Sequence, residues 1–130
     1  MEQVRTYVEL LMRTEDHFTP FKAGQVIFEE GQRGNEMFLV KSGVVELRRG
    51  DSVLETVSQG GILGEMALVD QEPRSATAVA AADCELVPID EKKFKLLVKG
   101  VPGFALEVMR IMAQRIRRAT PGRAGAGTKS

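Results

Sequence analysis

The stretch from Leu63 to Ala80 reads Leu-Gly-Glu-Met-Ala-Leu-Val-Asp-Gln-Glu-Pro-Arg-Ser-Ala-Thr-Ala-Val-Ala, and its polar chemistry suits an anion. A short helix-forming run after Gly64 presents backbone N–H groups around Ala67 that lack intrahelical partners and can be aimed at an anion. Gly64 lets the backbone come close. Arg74 adds a planar fork of donors, each charge-assisted bond being worth roughly 1.5–3 kcal/mol. Ser75 offers a hydroxyl and an N–H at the same place, and Pro73 ends the helical run and delivers Arg74 to the next strand. Glu65 is the informative residue. A carboxylate beside a phosphate is repulsive unless it accepts from another ligand group, such as a sugar hydroxyl, or pairs with a cation. Two readings follow: a phosphate-and-sugar site, or a buried Glu65–Arg74 ion pair, which by itself rarely helps stability.

These residues need a frame. From Phe18 to about Asp90 the chain shows short apolar runs punctuated by Gly31, Gly34, Gly43 and Gly50, the pattern of a small antiparallel β-barrel or sandwich. Strands are expected at Gln25–Phe28, Glu36–Lys41, Val44–Arg48, Ser52–Val57, Ser75–Ala80 and Cys84–Ile89, with a tight hairpin at Arg49-Gly50-Asp51. Alternation sends Val45 and Leu47 to the inside, where they either pack as plain core or line an apolar slot beside the anion run. Residues 1–15 read as an amphipathic helix through Val4, Val8, Leu11 and Met12. Asp90 is a good N-cap for a helix over 91–99 that Gly100 stops. Pro102 then precedes a helix over 103–119, whose Ala105, Val108, Met109, Met112, Ala113 and Ile116 make a broad apolar stripe. That stripe suits either a lid on the barrel or a second copy of itself. The fold class is therefore mainly β with flanking α: an antiparallel, jelly-roll-like β-roll with a short N-terminal helix, a helical turn in the anion run and two C-terminal helices.

Composition narrows the function. At 130 residues, 43% hydrophobic and 28% charged, the chain is expected to form one domain over 1–119, its β-roll spanning 18–90. A basic, glycine-rich tail over 120–130 is expected to be disordered. Lys plus Arg equal Asp plus Glu at 18 each, so no overall polyanion bias exists. The basic cluster Arg115, Arg117 and Arg118 reads first as compensation of the helix dipole and second as a nucleic-acid contact. No apolar run reaches the roughly 20 residues of a membrane span, no signal peptide is evident, and a single cysteine suits a reducing compartment, so the chain reads as cytoplasmic. The lone histidine, His17, reads as junction packing and Cys84 as a core thiol. Metal-ligand spacing, paired catalytic carboxylates and an activated nucleophile are all missing, so the reading is a binding protein rather than an enzyme, with no cofactor and no metal.

Gly64-Glu65-Met66-Ala67-Leu68, followed after five residues by Arg74-Ser75-Ala76, resembles the phosphate-binding cassette of cyclic-nucleotide-binding domains. These are found in catabolite-activator-type regulators, cyclic-nucleotide-dependent kinases and cyclic-nucleotide-gated channels. Gly31, Gly34, Gly43 and Gly60, with Met37-Phe38-Leu39-Val40 between, resemble the same domain's earlier motif. The resemblance implies that Gly64, Glu65, Met66, Ala67, Arg74, Ser75 and Ala76 form the ribose–phosphate site, with Glu65 on the 2′-hydroxyl and Arg74 on an exocyclic phosphate oxygen. It implies a base pocket at Val45, Leu47 and Val57, with Gln114 or Arg115 capping the base, and a final helix that moves onto the ligand. The implied ligand is a 3′,5′-cyclic nucleotide, cyclic AMP first and cyclic GMP second, because guanine-preferring relatives often carry threonine where Ser75 stands. The implied output is an effector protein or a homodimer through 104–119. A helix-turn-helix DNA-binding domain and a membrane span are not expected. The alternatives are a nucleotide-free interaction domain of this fold and a nucleic-acid binder acting through the basic tail.

Overall fold

The computed structural model describes residues 18–119. The expected helix over 1–15, His17 and the tail over 120–130 lie outside them. Eight strands run β1 (Thr19–Phe21), β2 (Val26–Phe28), β3 (Glu36–Ser42), β4 (Val44–Arg49), β5 (Ser52–Ser58), β6 (Ile62–Leu63), β7 (Thr77–Ala80) and β8 (Cys84–Asp90). Three helices accompany them: α1 (Glu65–Asp70), α2 (Glu91–Gly100) and α3 (Gly103–Ala119). The strands form two four-stranded sheets, ordered β1-β8-β3-β6 and β2-β7-β4-β5, and every pairing is antiparallel. This is the expected β-roll with flanking helices.

Two strands escaped the sequence pattern, for physical reasons. β1 carries Pro20, which is tolerated because β1 is an edge strand and its missing N–H breaks no inner ladder. β6 is only two residues long, enclosed by Gly61 and Gly64. Strand β7 begins at Thr77 rather than Ser75, which leaves Ser75 and Ala76 in the loop that shapes the site.

The interior divides in two. Inside the roll, Phe28, Phe38, Val40, Val45, Leu47, Val57, Leu63 and Leu86 pack together with Ala76, Ala78, Ala80 and Cys84. Outside the first sheet, Met37, Leu39, Ile62, Val87 and Ile89 pack under Phe104 and Val108 of α3 and under Leu68 of α1. Strand β3 therefore buries Met37, Phe38, Leu39 and Val40 in succession, one pair on each face. A strand covered on both sides loses the apolar–polar alternation that a half-solvated strand shows. Asp90 caps α2, its Oδ1 accepting from the Lys93 N–H at 2.9 Å. On α3 the expected apolar stripe splits: Val108 is buried against the sheet, beside Phe104 from outside the stripe, whereas Met109 and Ile116 are 56% and 52% exposed, as is Leu106 outside it at 46%.

Candidate functional site

The site begins where β6 ends. Gly64 takes φ 77° and ψ 14°, a left-handed conformation that turns the chain abruptly from the strand into α1. The turn drives Glu65 inward, and the residue is only 3% exposed. Helix α1 ends at Gln71, also left-handed, and Pro73 brings the chain back to Arg74. There the backbone is pinned: the Arg74 N–H donates to the Gln32 carbonyl at 2.9 Å, and the Gly31 N–H donates to the Arg74 carbonyl at 2.8 Å. Residues at both ends of the loop are thus fixed before any side chain acts.

Arg74 is 6% exposed, an expensive position for a charge unless its donors are met. Its Nη1 donates to the carbonyls of Glu36 at 2.8 Å and Gly64 at 3.1 Å. Its guanidinium carbon lies 4.2 Å from the Phe28 ring centre and 5.9 Å from that of Phe38, so the aromatic faces support the cation. Burial pushes its pKa below the ordinary arginine value, and the charges of Glu36 and Glu65 oppose that shift. A guanidinium stays charged under these conditions. Among the described residues only Nη1 is spent on hydrogen bonds; the Nε–Nη2 edge, the one that grips an anion in a forked contact, lies over Gly34.

Glu65 does not pair with Arg74, so the ion-pair alternative from the sequence is not the arrangement formed. Its partner is Arg115 of α3, whose Nη1 donates to Glu65 Oε1 at 2.5 Å. Arg115 also donates from Nε to Glu55 Oε1 at 2.8 Å, and from Nη2 to Glu55 Oε2 at 3.2 Å and to the Ile62 carbonyl at 2.7 Å. Burial alone lowers the Arg115 pKa, but the bonds and charges of Glu55 and Glu65 outweigh it and leave the group above the ordinary arginine value.

One cavity of about 40 Å³ gathers all seven cassette residues, Gly64, Glu65, Met66, Ala67, Arg74, Ser75 and Ala76, together with Leu47 and Arg115. The remaining base-side residues sit elsewhere. Val45 is wholly buried inside the roll, and Val57 and Gln114 line a neighbouring cavity of about 490 Å³ that also touches Arg115. Leu47 is thus the β4 residue that reaches the site. Ser75 is held from outside, its carbonyl accepting from Arg49 Nη2 at 2.8 Å. Glu55 and Phe28 were not singled out by the sequence. Phe28 ends a run too short to mark it, while Glu55 carried a usable signal, since it shares the alternation parity of inward-facing Val57. Chemically, the arrangement offers a cation whose Nε and Nη2 make no hydrogen bond among the described residues, a buried carboxylate and an apolar wall. Among the described residues no group of metal-ligating side chains occurs.

A sequence model of the cyclic nucleotide-binding domain matches residues 18–100. The chain is 34% identical over 104 residues to the cyclic AMP receptor protein of Thermus thermophilus, covering 76% of this chain and 48% of that protein. It therefore spans about half the length of that relative. The solved Thermus thermophilus catabolite activator protein superposes with a TM-score of 0.74 at 28% identity, over 95% of this chain and 59% of the other. A structure described under a cyclic-GMP-dependent signalling pathway in bacterial phytopathogenesis superposes with a TM-score of 0.70 at 27% identity, over 89% and 94%.

Proposed function

Because the chain belongs to the cyclic nucleotide-binding domain family, we propose that it is a non-catalytic sensor of a 3′,5′-cyclic nucleotide, cyclic AMP ahead of cyclic GMP. The observation that carries this reading is that Arg74 and Glu65 border one cavity with complementary chemistry. Arg74 keeps a forked edge for phosphate oxygens, and Glu65 is an acceptor for a ribose hydroxyl. Backbone groups of Gly64 and Ala67, with Ser75, supply further donors, Met66 and Ala76 border the sugar, and Leu47 supplies apolar surface towards the base, with Val45 and Val57 behind it. Gln114 and Arg115 belong to the helix that approaches the base side. A cyclic nucleotide of about 22 heavy atoms, at roughly 0.3–0.4 kcal/mol each, gives a dissociation constant on the order of micromolar. The relative's name, a cyclic AMP receptor, supports the order of ligands, and the cyclic-GMP-linked structure keeps the second one in play.

The output is a change in the position of α3, read by an effector protein or by a second copy of the chain. Leu106, Met109, Ala113 and Ile116 fall at the 3-4 spacing of a coiled-coil seam, and the three large ones are exposed. Calorimetric titration with both nucleotides, beside Arg74→Ala, tests the reading: micromolar binding is expected, weakened at least tens-fold in the variant. Failure of both nucleotides to bind or to raise the melting temperature would leave a nucleotide-free interaction domain. Stronger binding of cyclic GMP would reverse the order. Unchanged NMR shifts over 104–119 at saturating nucleotide would remove the switch.

A further inference from the structure

The inner wall of the site carries a residue with no role in the cassette. Glu55 lies directly across the β4–β5 ladder from Leu47. Opposed residues of an antiparallel pair leave the sheet on the same face, so the Glu55 carboxylate points to the side that Leu47 occupies. There it takes two donors of Arg115, at 2.8 and 3.2 Å, while Nη2 also reaches the Ile62 carbonyl and Nη1 holds Glu65. Every nitrogen of Arg115 is committed, and the three anchors come from β5, β6 and α1. A second α3 cation, Arg118, lies 3.5 Å from the same Glu55 oxygen.

The consequence is steric as well as electrostatic. The cassette cavity of about 40 Å³ is far below the roughly 300 Å³ at which small-molecule pockets begin. Arg115 is one of its walls and occupies Glu65, the carboxylate that the proposed function assigns to the ribose. A ligand therefore reaches Glu65 only after Arg115 withdraws. Withdrawal from Glu65 alone does not open the mouth, because Glu55 and the Ile62 carbonyl still hold the guanidinium and, through it, the last turns of α3. Separating a largely buried ion pair leaves both partners uncompensated, which makes such a contact slow to open.

We propose that Glu55 is a positioning residue that latches Arg115 across the mouth of the cassette, so that nucleotide binding is gated by opening of the Glu55–Arg115 pair. The inference rests on the cyclic-nucleotide reading for its ligand but not for the latch itself. Two measurements on the full chain separate them. With no nucleotide added, hydrogen–deuterium exchange over the last turns of α3 should speed up about tenfold in Glu55→Gln and in Arg115→Gln, with no further gain in the double variant. With fluorophore-bearing cyclic AMP in stopped flow, the wild-type association rate should level off as nucleotide rises, and Glu55→Gln should lift that ceiling by a similar factor. A general loss of structure would not raise an association rate. Unchanged exchange in both single variants, or an association rate that stays linear and identical in Glu55→Gln, overturns the latch. If neither cyclic nucleotide binds but exchange accelerates non-additively as described, the latch stands and the cyclic-nucleotide reading falls.

Discussion

Replacing Gly34 by alanine should disable a site whose main motif lies some forty positions further along the chain. A Cβ built on Gly34 falls 2.4 Å from Arg74 Nη2, 2.7 Å from its Cζ and 2.8 Å from its Nε, closer than real Cβ atoms approach. Gly34 is not among the positive-φ glycines, so the backbone itself accepts alanine. The collision is with the end of a flexible side chain, and Arg74 rather than the chain must give way. Displacement breaks the Nη1 bonds to the Glu36 and Gly64 carbonyls and lifts the cation from Phe28. Each bond is worth about 1 kcal/mol net once the guanidinium regains water, and the ring contact about 0.5–1 kcal/mol. Against roughly 2–3 kcal/mol stands a gain of about 0.4–1 kcal/mol from the stiffer unfolded chain. The net loss of about 1–2.5 kcal/mol should lower the melting temperature by roughly 5–15 °C. Nucleotide affinity should fall tens-fold, as in Arg74→Ala, because the same forked edge is lost. The sign reverses when Arg74 is already gone: adding Gly34→Ala to Arg74→Ala should cost no affinity and should stabilise slightly. Calorimetry and thermal melts on the four proteins close the cycle. A Gly34→Ala protein that melts and binds like wild type would refute the packing argument, and additive losses in the double variant would refute the shared cause.

Three further outcomes follow from the same geometry. Glu65→Gln should weaken binding of cyclic AMP by about tenfold yet leave 2′-deoxy cyclic AMP nearly unaffected, since only the former brings a hydroxyl to that carboxylate; equal losses in parallel titrations would detach Glu65 from the ribose. Met109→Glu, a charge in the exposed seam of α3, should convert a dimer into a monomer in sedimentation velocity without lowering the melting temperature by more than a few degrees; an unchanged sedimentation coefficient would remove that seam as the interface. Burial first, and Asp83 second, push the Cys84 thiol above its ordinary 9.0. The fold therefore holds the thiol proton more tightly than the unfolded chain does, and the associated stability is complete below pH 9 and lost as pH rises through the folded value. The denaturation midpoint should accordingly fall more steeply above pH 9 in wild type than in Cys84→Ala, and parallel curves would remove Cys84 from the pH dependence.

The sequence made the cassette legible because its constraints are local. A left-handed Gly64, a carboxylate next to it and a proline before Arg74 are all set within one loop. The roll was legible where a strand has one solvated face, as in β4, whose Val45 and Leu47 both turn inward. It was not legible where an element is very short or depends on its place in the sheet. β6 is two residues long, and β1 holds a proline that only an edge tolerates, whereas β3, buried on both faces, was still read as a strand from its unbroken apolar run. The residues expected at the base side are divided for a related reason. Inward-facing describes Val45, Leu47 and Val57 alike, but the roll is deep enough that Val45 stays inside its core while Leu47 alone reaches the cassette cavity.

The two arginines show what no one-dimensional pattern could sort. Arg74, buried, and Arg115, half-buried, border the same small cavity, and both are charged. What separates them is how their donors are spent. Arg115 commits all three nitrogens to Glu55, Glu65 and the Ile62 carbonyl, so it has nothing left for an anion without first giving something up. Arg74 commits only Nη1, to backbone oxygens that no substitution can remove, and rests its face on Phe28. The charges of Arg115, Glu55, Glu65 and Arg74 also sum to zero, so these four groups together bring no net charge to draw in a phosphate. Attraction must then come from where the positive charge stands rather than from how much there is. A diester at the free edge of Arg74 meets a cation at hydrogen-bonding distance, while the nearest carboxylate, Glu65, is already neutralised by Arg115. Removing Arg115 would expose that carboxylate to the phosphate, whereas removing Glu55 would leave the pairing of Arg115 with Glu65 in place. The same arginine thus screens repulsion while the phosphate approaches Arg74 and hinders access to Glu65 until it withdraws, two roles that equilibrium affinity would merge and association kinetics would separate.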